Sequence, residues 1–174
     1  MKWLIRILGL IILFFIGLCV TGAFLPETQH VDKTINVPAE IEDVYAVVSD
    51  LQSYPEWSDF GGEASQWVFG EDEFGIGQTA NWQVGEGSKQ KFGSLEVLQL
   101  ESNEYVRLQV TDYSGQKIIT IAINENADGT TCLIQAERQF GGFPYFSRIA
   151  GLRQKKRIEA RLDQATIGLA NLFR

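Results

Sequence analysis

An uncharged apolar run near the N-terminus restricts the chain most strongly. Nineteen consecutive residues, from Ile7 to Leu25, carry no charged side chain. As a helix rising 1.5 Å per residue, this run would extend about 28 Å, close to the roughly 30 Å hydrocarbon core of a bilayer. A helix buried in a soluble core usually keeps a polar face over such a length. The run therefore predicts a transmembrane anchor within residues 1–25.

A cleaved signal peptide is the alternative interpretation of the same region. Lys2 and Arg6 would form its basic start, and the small residues at 21–23 its cleavage site. The apolar run is longer than the 7–15 residues typical of signal peptides, which favours a retained anchor. Basic residues before the run, with Glu27 and Asp32 after it, then place the N-terminus in the cytoplasm. The following domain is expected on the non-cytoplasmic side, periplasmic or extracellular in a bacterium.

Charge is distributed unevenly along the rest of the chain. The whole chain has a formal net charge of −7. Residues 26–147 contain six basic and twenty acidic side chains, whereas residues 148–174 contain seven basic and two acidic ones. The acidic balance argues against non-specific binding of nucleic acid. Residues 26–33 are expected to form a short polar tether between the anchor and a domain over residues 34–174.

The basic C-terminal segment predicts contact with a membrane surface. Anionic head groups attract basic side chains by about 1 kcal/mol each near the surface. A solvated helix face and internal pairing with the acidic body are the alternatives. The residues predicted to contact head groups are Arg153, Lys155, Lys156 and Arg157.

Few side chains are suitable for metal binding or nucleophilic catalysis. The chain has two cysteines, Cys19 and Cys132, and one histidine, His30. This composition excludes a disulfide scaffold, a cysteine-rich zinc site and a multi-histidine metal site. We predict no catalytic set, no metal and no cofactor, and the sequence indicates no particular protein partner. A cavity carboxylate such as Glu96 or Glu137 is the remaining means of acid–base chemistry.

The hydrophobic pattern predicts an antiparallel sheet between helices. A short β run at 34–37 precedes a helix over 38–50 and a turn with a short helix over 51–60. Further β runs are predicted at 65–69, 78–84, 90–100, 105–110, 117–124 and 130–140, with a bulge near Val97. No spacer between them is long enough for a helical crossover. A long C-terminal helix is predicted from the apolar stripe Ile158, Leu162, Ala165, Leu169 and Leu172.

Residues 37–60 resemble the opening signature of the START-like, or SRPBCC, superfamily, nearest to its polyketide cyclase/dehydrase and lipid-transport branch. The matching residues are Val37-Pro38, Val44-Tyr45, Asp50 and Pro55-Glu56-Trp57, and the later stretches Gly75-x-Gly77 with Trp82 and 93–97 also resemble the family. The resemblance implies an α+β helix-grip fold. In this fold a curved antiparallel sheet of about six to seven strands wraps a long C-terminal helix around a hydrophobic cavity. A membrane anchor is not part of the usual family pattern.

The implied cavity predicts binding of an apolar small molecule or lipid between the sheet and the C-terminal helix. The predicted pocket residues are Trp57, Phe60, Trp82, Phe92, Leu108, Ile121, Ala136, Phe140 and Leu162. One alternative is a cyclase or dehydratase that uses a cavity carboxylate. Another is an interaction module whose own side chains fill the cavity.

Overall fold

The fold consists of a seven-stranded antiparallel sheet and a long C-terminal helix. The computed structural model describes residues 2–60, 66–71, 74–85, 87, 90–113, 115–142 and 145–174. Its helices are α1 (Lys2–Ala23), α2 (Ile41–Ser49), α3 (Tyr54–Trp57) and α4 (Phe146–Leu172), with a 3-10 turn at Leu51–Ser53. Its strands are β1 (Thr28–Val37), β2 (Gln66–Phe69), β3 (Thr79–Val84), β4 (Lys91–Glu101), β5 (Tyr105–Asp112), β6 (Gly115–Asn126) and β7 (Gly129–Gln139).

The sheet order is β1-β7-β6-β5-β4-β3-β2, and every neighbouring pair is antiparallel. The predicted meander and the α+β helix-grip arrangement are confirmed. The register between β4 and β5 shifts between Val97 and Gln99, which confirms the predicted bulge. Residue 65, predicted to begin one run, lies outside the described residues.

The hydrophobic core lies between the concave face of the sheet and α4. Alternate residues of the central strands face it, as the period of two requires. They are Leu95 and Val97 in β4, Val106, Leu108 and Val110 in β5, Ile119, Ile121 and Ile123 in β6, and Cys132, Ile134 and Ala136 in β7. From α4, Ile158, Leu162, Ala165 and Leu169 pack against them, whereas Leu172, at the end of the helix, is exposed.

The predicted tether over residues 26–33 is wrong for most of its length. Strand β1 begins at Thr28 and pairs with β7 from Thr28–Gln139 to Val37–Thr130. The inward positions of β1 include Lys33, whose Nζ lies 2.7 Å from Asp163 Oδ1 of α4. A lysine at an inward position interrupts the apolar alternation, so this edge strand resembles a polar linker in sequence. Only residues 24–27 connect α1 to the sheet.

Helix α1 lies against the beginning of α4. In the described part of the chain, it is the helix that is long and apolar enough to cross a membrane. The rings of Phe15 and Phe146 meet edge to face, with centroids 6.2 Å apart. A Cβ atom at Gly22 would lie 2.6 Å from Tyr145 Cβ, so the two backbones approach closely at that point.

Arg148 fixes the connection between α1 and β1. Its Nη1 donates to the carbonyl oxygen of Leu25 at 3.1 Å, and its Nη2 lies 2.7 Å from Glu27 Oε1. The guanidinium also lies over the Tyr145 ring, 4.7 Å from its centroid. Arg148 is buried, so the first turn of α4 holds the short connection in place.

Candidate functional site: a cationic pocket between the sheet and the C-terminal helix

A small cavity opens between α4 and the end of the β5–β6 hairpin. Its volume is about 100 Å³. It is lined by Phe60, Tyr113, Lys117, Ile119, Gln154, Arg157, Ile158, Arg161 and Leu162. Buried apolar residues form its floor together with the buried Lys117, and the other polar or cationic residues form its rim. Ligand pockets combine these two features, an apolar lining with a few oriented polar groups.

The apolar floor is positioned by the segment that follows α2. Phe60 is packed in an aromatic group with Tyr54 and Trp57, and its ring centroid lies 6.1 Å from each of theirs. Tyr54 Oη donates to the carbonyl oxygen of Val48 at 2.7 Å, which ties this group to α2. The cavity floor is therefore part of the rigid core.

A buried charge cluster closes the hairpin end of the cavity. Lys117 Nζ lies 2.7 Å from Asp112 Oδ2, and their side chains are only 5% and 3% exposed. Arg161 Nη1 reaches the same oxygen at 3.1 Å and also donates to the carbonyl oxygen of Phe60 at 3.4 Å. One carboxylate thus bridges two strands of the hairpin to α4.

Burial dominates the electrostatics of Lys117. Loss of hydration lowers the pKa of Lys117 below its ordinary value, because burial disfavours the charged amine. The hydrogen bond and charge of Asp112 oppose this effect, whereas the positive charges of Arg161 and Arg138 add to it. The ammonium group is therefore held in the protein at an energetic cost.

A second groove lies next to the cavity and reaches α1. It has a volume of about 540 Å³ and is lined by Leu18, Phe146, Ile149, Ala150, Arg153, Gln154 and Arg157. Gln154 and Arg157 line both spaces. Gln154 Oε1 accepts a hydrogen bond from Arg138 Nη1 of β7, which places this side chain at the junction.

The predicted pocket residues divide into three groups. Phe60 and Leu162 line the cavity. Trp57, Trp82, Leu108, Ile121 and Ala136 are buried in the core without lining it, and Phe140 packs against Gly151 of α4. The Trp82 ring instead covers Gly93 of the paired strand, where a Cβ atom would overlap it.

Phe92 is the clear error among these predictions. It is 63% exposed on β4. Leu95 and Val97 face the core, so the period of two places residues 92, 94 and 96 on the outer face before the bulge. By the same argument, Glu96 does not face the cavity. In β7, Glu137 follows the inward Ala136 and therefore also lies on the outer face.

The predicted membrane-contact residues also separate. Arg157 lines the cavity, and Arg153 lines the groove beside Leu18. Lys155 and Lys156 are exposed on other faces of α4. Arg153 and Arg157 therefore line the groove and the cavity, whereas Lys155 and Lys156 line neither.

Sequence reasoning missed the charge cluster, although the signal was present. The inward alternation Val106, Leu108 and Val110 continues to Asp112, and the alternation from Ile123 back to Ile119 continues to Lys117. The run over 105–110 was predicted to end at Val110, one step of the period of two before Asp112. The run over 117–124 was predicted to include Lys117, but its position on the inward face was not used to place the charge in the core.

The comparisons with known proteins agree with this architecture. The family model described as polyketide cyclase / dehydrase and lipid transport matches residues 28–173. A comparison with curated proteins finds no match.

Solved structures share the fold at low sequence identity. Protein CV1439 from Chromobacterium violaceum is 16% identical with a TM-score of 0.59, over 83% of this chain and 97% of that one. The KanY protein is 14% identical with a TM-score of 0.62, over 84% and 97%. The di-domain ARO/CYC protein StfQ of the steffimycin biosynthetic pathway is 11% identical with a TM-score of 0.63, over 84% and 50%.

The family match begins at β1 and extends through α4, so it includes every element that forms the cavity. Helix α1 precedes the matched region. The chain belongs to the polyketide cyclase/dehydrase and lipid transport family.

Proposed function

We propose that this protein is a membrane-anchored domain that binds a hydrophobic small molecule or lipid between the sheet and α4. The observation that carries the proposal is the position of the apolar-floored cavity next to the groove beside α1, with Gln154 and Arg157 lining both. The cavity of about 100 Å³ is smaller than most ligand pockets, whereas the groove of about 540 Å³ lies within their usual range of about 300–1,000 Å³. The ligand then occupies the groove and extends one end into the cavity.

The contact between α1 and α4 supports a position of the domain directly on the bilayer. Phe15 precedes the end of α1 by eight residues, about 12 Å along the helix axis. Its contact with Phe146 places the start of α4 beside the part of α1 proposed to lie in the membrane. Phe146 and Leu152 are exposed on this end of α4, as expected for residues that contact lipid. Arg153, Lys155 and Lys156 then lie near anionic head groups.

We further propose that α1 is retained, with the N-terminus in the cytoplasm and the domain on the other side. Lys2→Cys and Asp128→Cys provide single exposed thiols at the two ends of this topology, because Cys132 is buried and Cys19 lies within α1. A membrane-impermeant maleimide should label residue 128 in intact cells and residue 2 only after lysis. A soluble mature form that begins near residue 24 would instead support the signal-peptide interpretation.

The test of ligand binding is mass spectrometry of lipids that co-purify with the full-length protein in nanodiscs. We expect a molecule enriched over the disc lipids, and we expect Leu162→Trp to deplete it because the larger ring occupies the cavity. Ala160→Trp is the matched control, because residue 160 is exposed on the same helix and lines neither space. Equal recovery from both variants, or no enriched molecule in the parent protein, would favour a domain whose own side chains fill the cavity.

Acid–base catalysis has less support from the geometry. Glu96 and Glu137 lie on the outer face of the sheet, and Asp112, the buried carboxylate in the described part of the chain, already bonds to two cations. Glu96→Gln and Glu137→Gln should therefore retain function in a complementation assay. Complete loss of function in either folded, ligand-binding variant would favour the enzyme interpretation.

A further inference from the structure

The cavity rim carries an excess of positive charge within an otherwise acidic domain. Lys117, Arg157 and Arg161 line the cavity, and in the described residues Asp112 is the carboxylate that pairs with any of them. Three cations therefore line the cavity, and Asp112 pairs with two of them. Residues 26–147 contain twenty acidic and six basic side chains. The positive charge around the cavity is therefore opposite in sign to the net charge of the surrounding domain.

Fold stability alone does not account for these charges. Desolvation of a buried ion pair commonly costs as much free energy as the attraction returns, and apolar replacements are often neutral or stabilising. Burial lowers the pKa of Lys117 even with Asp112 at hydrogen-bond distance, which shows that this amine is incompletely compensated. Charged groups kept at such a cost concentrate at functional sites.

Arg157 supplies a cation without an internal counter-ion. It has no hydrogen-bond or ion-pair partner in the described part of the chain, and its side chain lines the junction of cavity and groove. Arg161 lies one helical turn further along α4, on the same side, and is already oriented by Asp112. A planar guanidinium recognises carboxylate and phosphate through paired hydrogen bonds.

We propose that this rim binds the anionic end group of an amphiphilic ligand, a carboxylate or a phosphate, through Arg157 and Arg161 with Lys117 behind them. The apolar part of the ligand lies against Phe60 and Leu162 or extends along the groove towards α1. This assignment rests on the proposed binding function and specifies its ligand class. Asp112 orients Arg161, and the cluster of Lys117, Asp112 and Arg161 has one net positive charge at the base of the site.

The experiment compares three photoreactive probes that share one tail. A dodecyl chain with a diazirine next to its head group carries a carboxylate, a phosphate or a neutral alcohol. Each is added to the full-length protein in phosphatidylcholine nanodiscs, and labelled peptides of β6 and α4 are measured by mass spectrometry. A hydrogen bond to a charged group contributes about 1.5–3 kcal/mol, so at least one anionic probe should label these peptides about tenfold or more above the alcohol.

Charge-neutralising variants test whether Arg157 and Arg161 cause the preference for the anionic probe. Arg157→Gln and Arg161→Gln should each reduce labelling by the anionic probe about tenfold and leave the alcohol unchanged. Lys156→Gln is the matched control, because it removes the same charge from the adjacent residue, which lines neither space. Among the described residues Arg157 has no partner to lose, so its variant should keep the melting temperature of the parent protein.

The outcomes separate this inference from the function on which it rests. Equal labelling by acid, phosphate and alcohol would overturn the anionic assignment and leave hydrophobic binding intact. The same loss in Lys156→Gln as in Arg157→Gln would also overturn it, because general surface charge would then explain the preference. No labelling of the cavity peptides by any probe would overturn the binding function itself. A preference for one anionic probe identifies the source, a free fatty-acid type of ligand or a phosphorylated lipid.

Discussion

Asp112 and Lys117 form a buried ion pair across the β5–β6 hairpin, with Lys117 Nζ 2.7 Å from Asp112 Oδ2. The pair lies where the sheet meets Arg161 of α4, so the geometry of the proposed anion site depends on it. The dependence is one-sided, because Lys117 without Asp112 would lose its carboxylate partner in the core, whereas Asp112 without Lys117 would still pair with Arg161.

Asp112→Asn should therefore destabilise the protein by about 3–5 kcal/mol, the usual cost of removing one partner of a buried pair. The double variant Asp112→Asn/Lys117→Met should recover most of this loss, because it also removes the stranded amine. The stabilities of the single and double variants are measured by unfolding the full-length protein in mild detergent while tryptophan fluorescence is recorded. A double variant no more stable than the single one would contradict this account.

Cys132 should make stability fall at alkaline pH. Burial raises the pKa of its thiol from 9.0 to about 12, because the thiolate is disfavoured in the core. Above pH 9 the thiol ionises in the unfolded chain and stays protonated in the folded one, so its contribution to stability is present below pH 9 and declines from there to about pH 12.

The comparison with Cys132→Ala isolates this effect from other alkaline titrations. The alanine variant loses packing at every pH, so its free energy of unfolding is lower than that of the parent protein. This difference in unfolding free energy should be about 1.4 kcal/mol smaller at pH 10 than at pH 8. Free energies of unfolding at the two pH values give the result. A deficit independent of pH would mean that the thiol ionises equally in both states.

Arg148→Gln should loosen the connection between α1 and the sheet. The variant loses the hydrogen bond to the Leu25 carbonyl and the ion pair with Glu27. Glu27 is 72% exposed, so the ion pair itself contributes little and the main effect is on local order. Cleavage by chymotrypsin after Phe24 should accelerate severalfold, with a small change in melting temperature. Arg153→Gln, which removes the same charge from the groove, is the control and should be cleaved at the parent rate.

Gly168→Ala should force α3 away from α4 and thereby destabilise the protein. A Cβ atom at residue 168 would overlap the backbone carbonyl of Trp57, and backbone atoms cannot move aside as a flexible side chain can. Overpacking of this kind costs about 1–3 kcal/mol. Gly142→Ala, where no atom lies within 4 Å of the added Cβ, should be nearly neutral. Thermal unfolding of the two variants checks the difference, and equal melting temperatures would contradict it.

Much of the fold was predictable because its main signals are local. The inward sets led by Val106, Ile119 and Cys132 follow from the period of two, and the stripe from Ile158 to Leu169 follows from the helical period. The bulge near Val97 was visible as an interruption of the first pattern. These signals require no knowledge of which elements meet in space.

The errors share a different physical cause, which is charge at inward positions. Lys33 and Lys117 both face the core side of the sheet, each with an aspartate partner on another element or strand. When the aspartate partner is not known, a lysine at such a position indicates the end of a strand or a linker. Phe92 is the converse, an aromatic residue on the outer face that composition alone assigned to the pocket. The period of two could place Asp112 and Lys117 on the inward face, but their pairing with each other and with Arg161 depends on tertiary contact and could not be assigned from the sequence pattern alone.

If the domain binds a ligand as proposed, the shortness of the segment between α1 and β1 determines how that molecule leaves the protein. Residues 24–27 reach at most about 14 Å when fully extended, and Arg148 holds them in a bent course. With α1 in a bilayer, the domain cannot cross an aqueous gap to deliver its ligand, so an acceptor must come to it. Exchange then depends on lateral diffusion in one membrane and on the frequency of encounters with that acceptor. A soluble relative of the same fold has neither restriction.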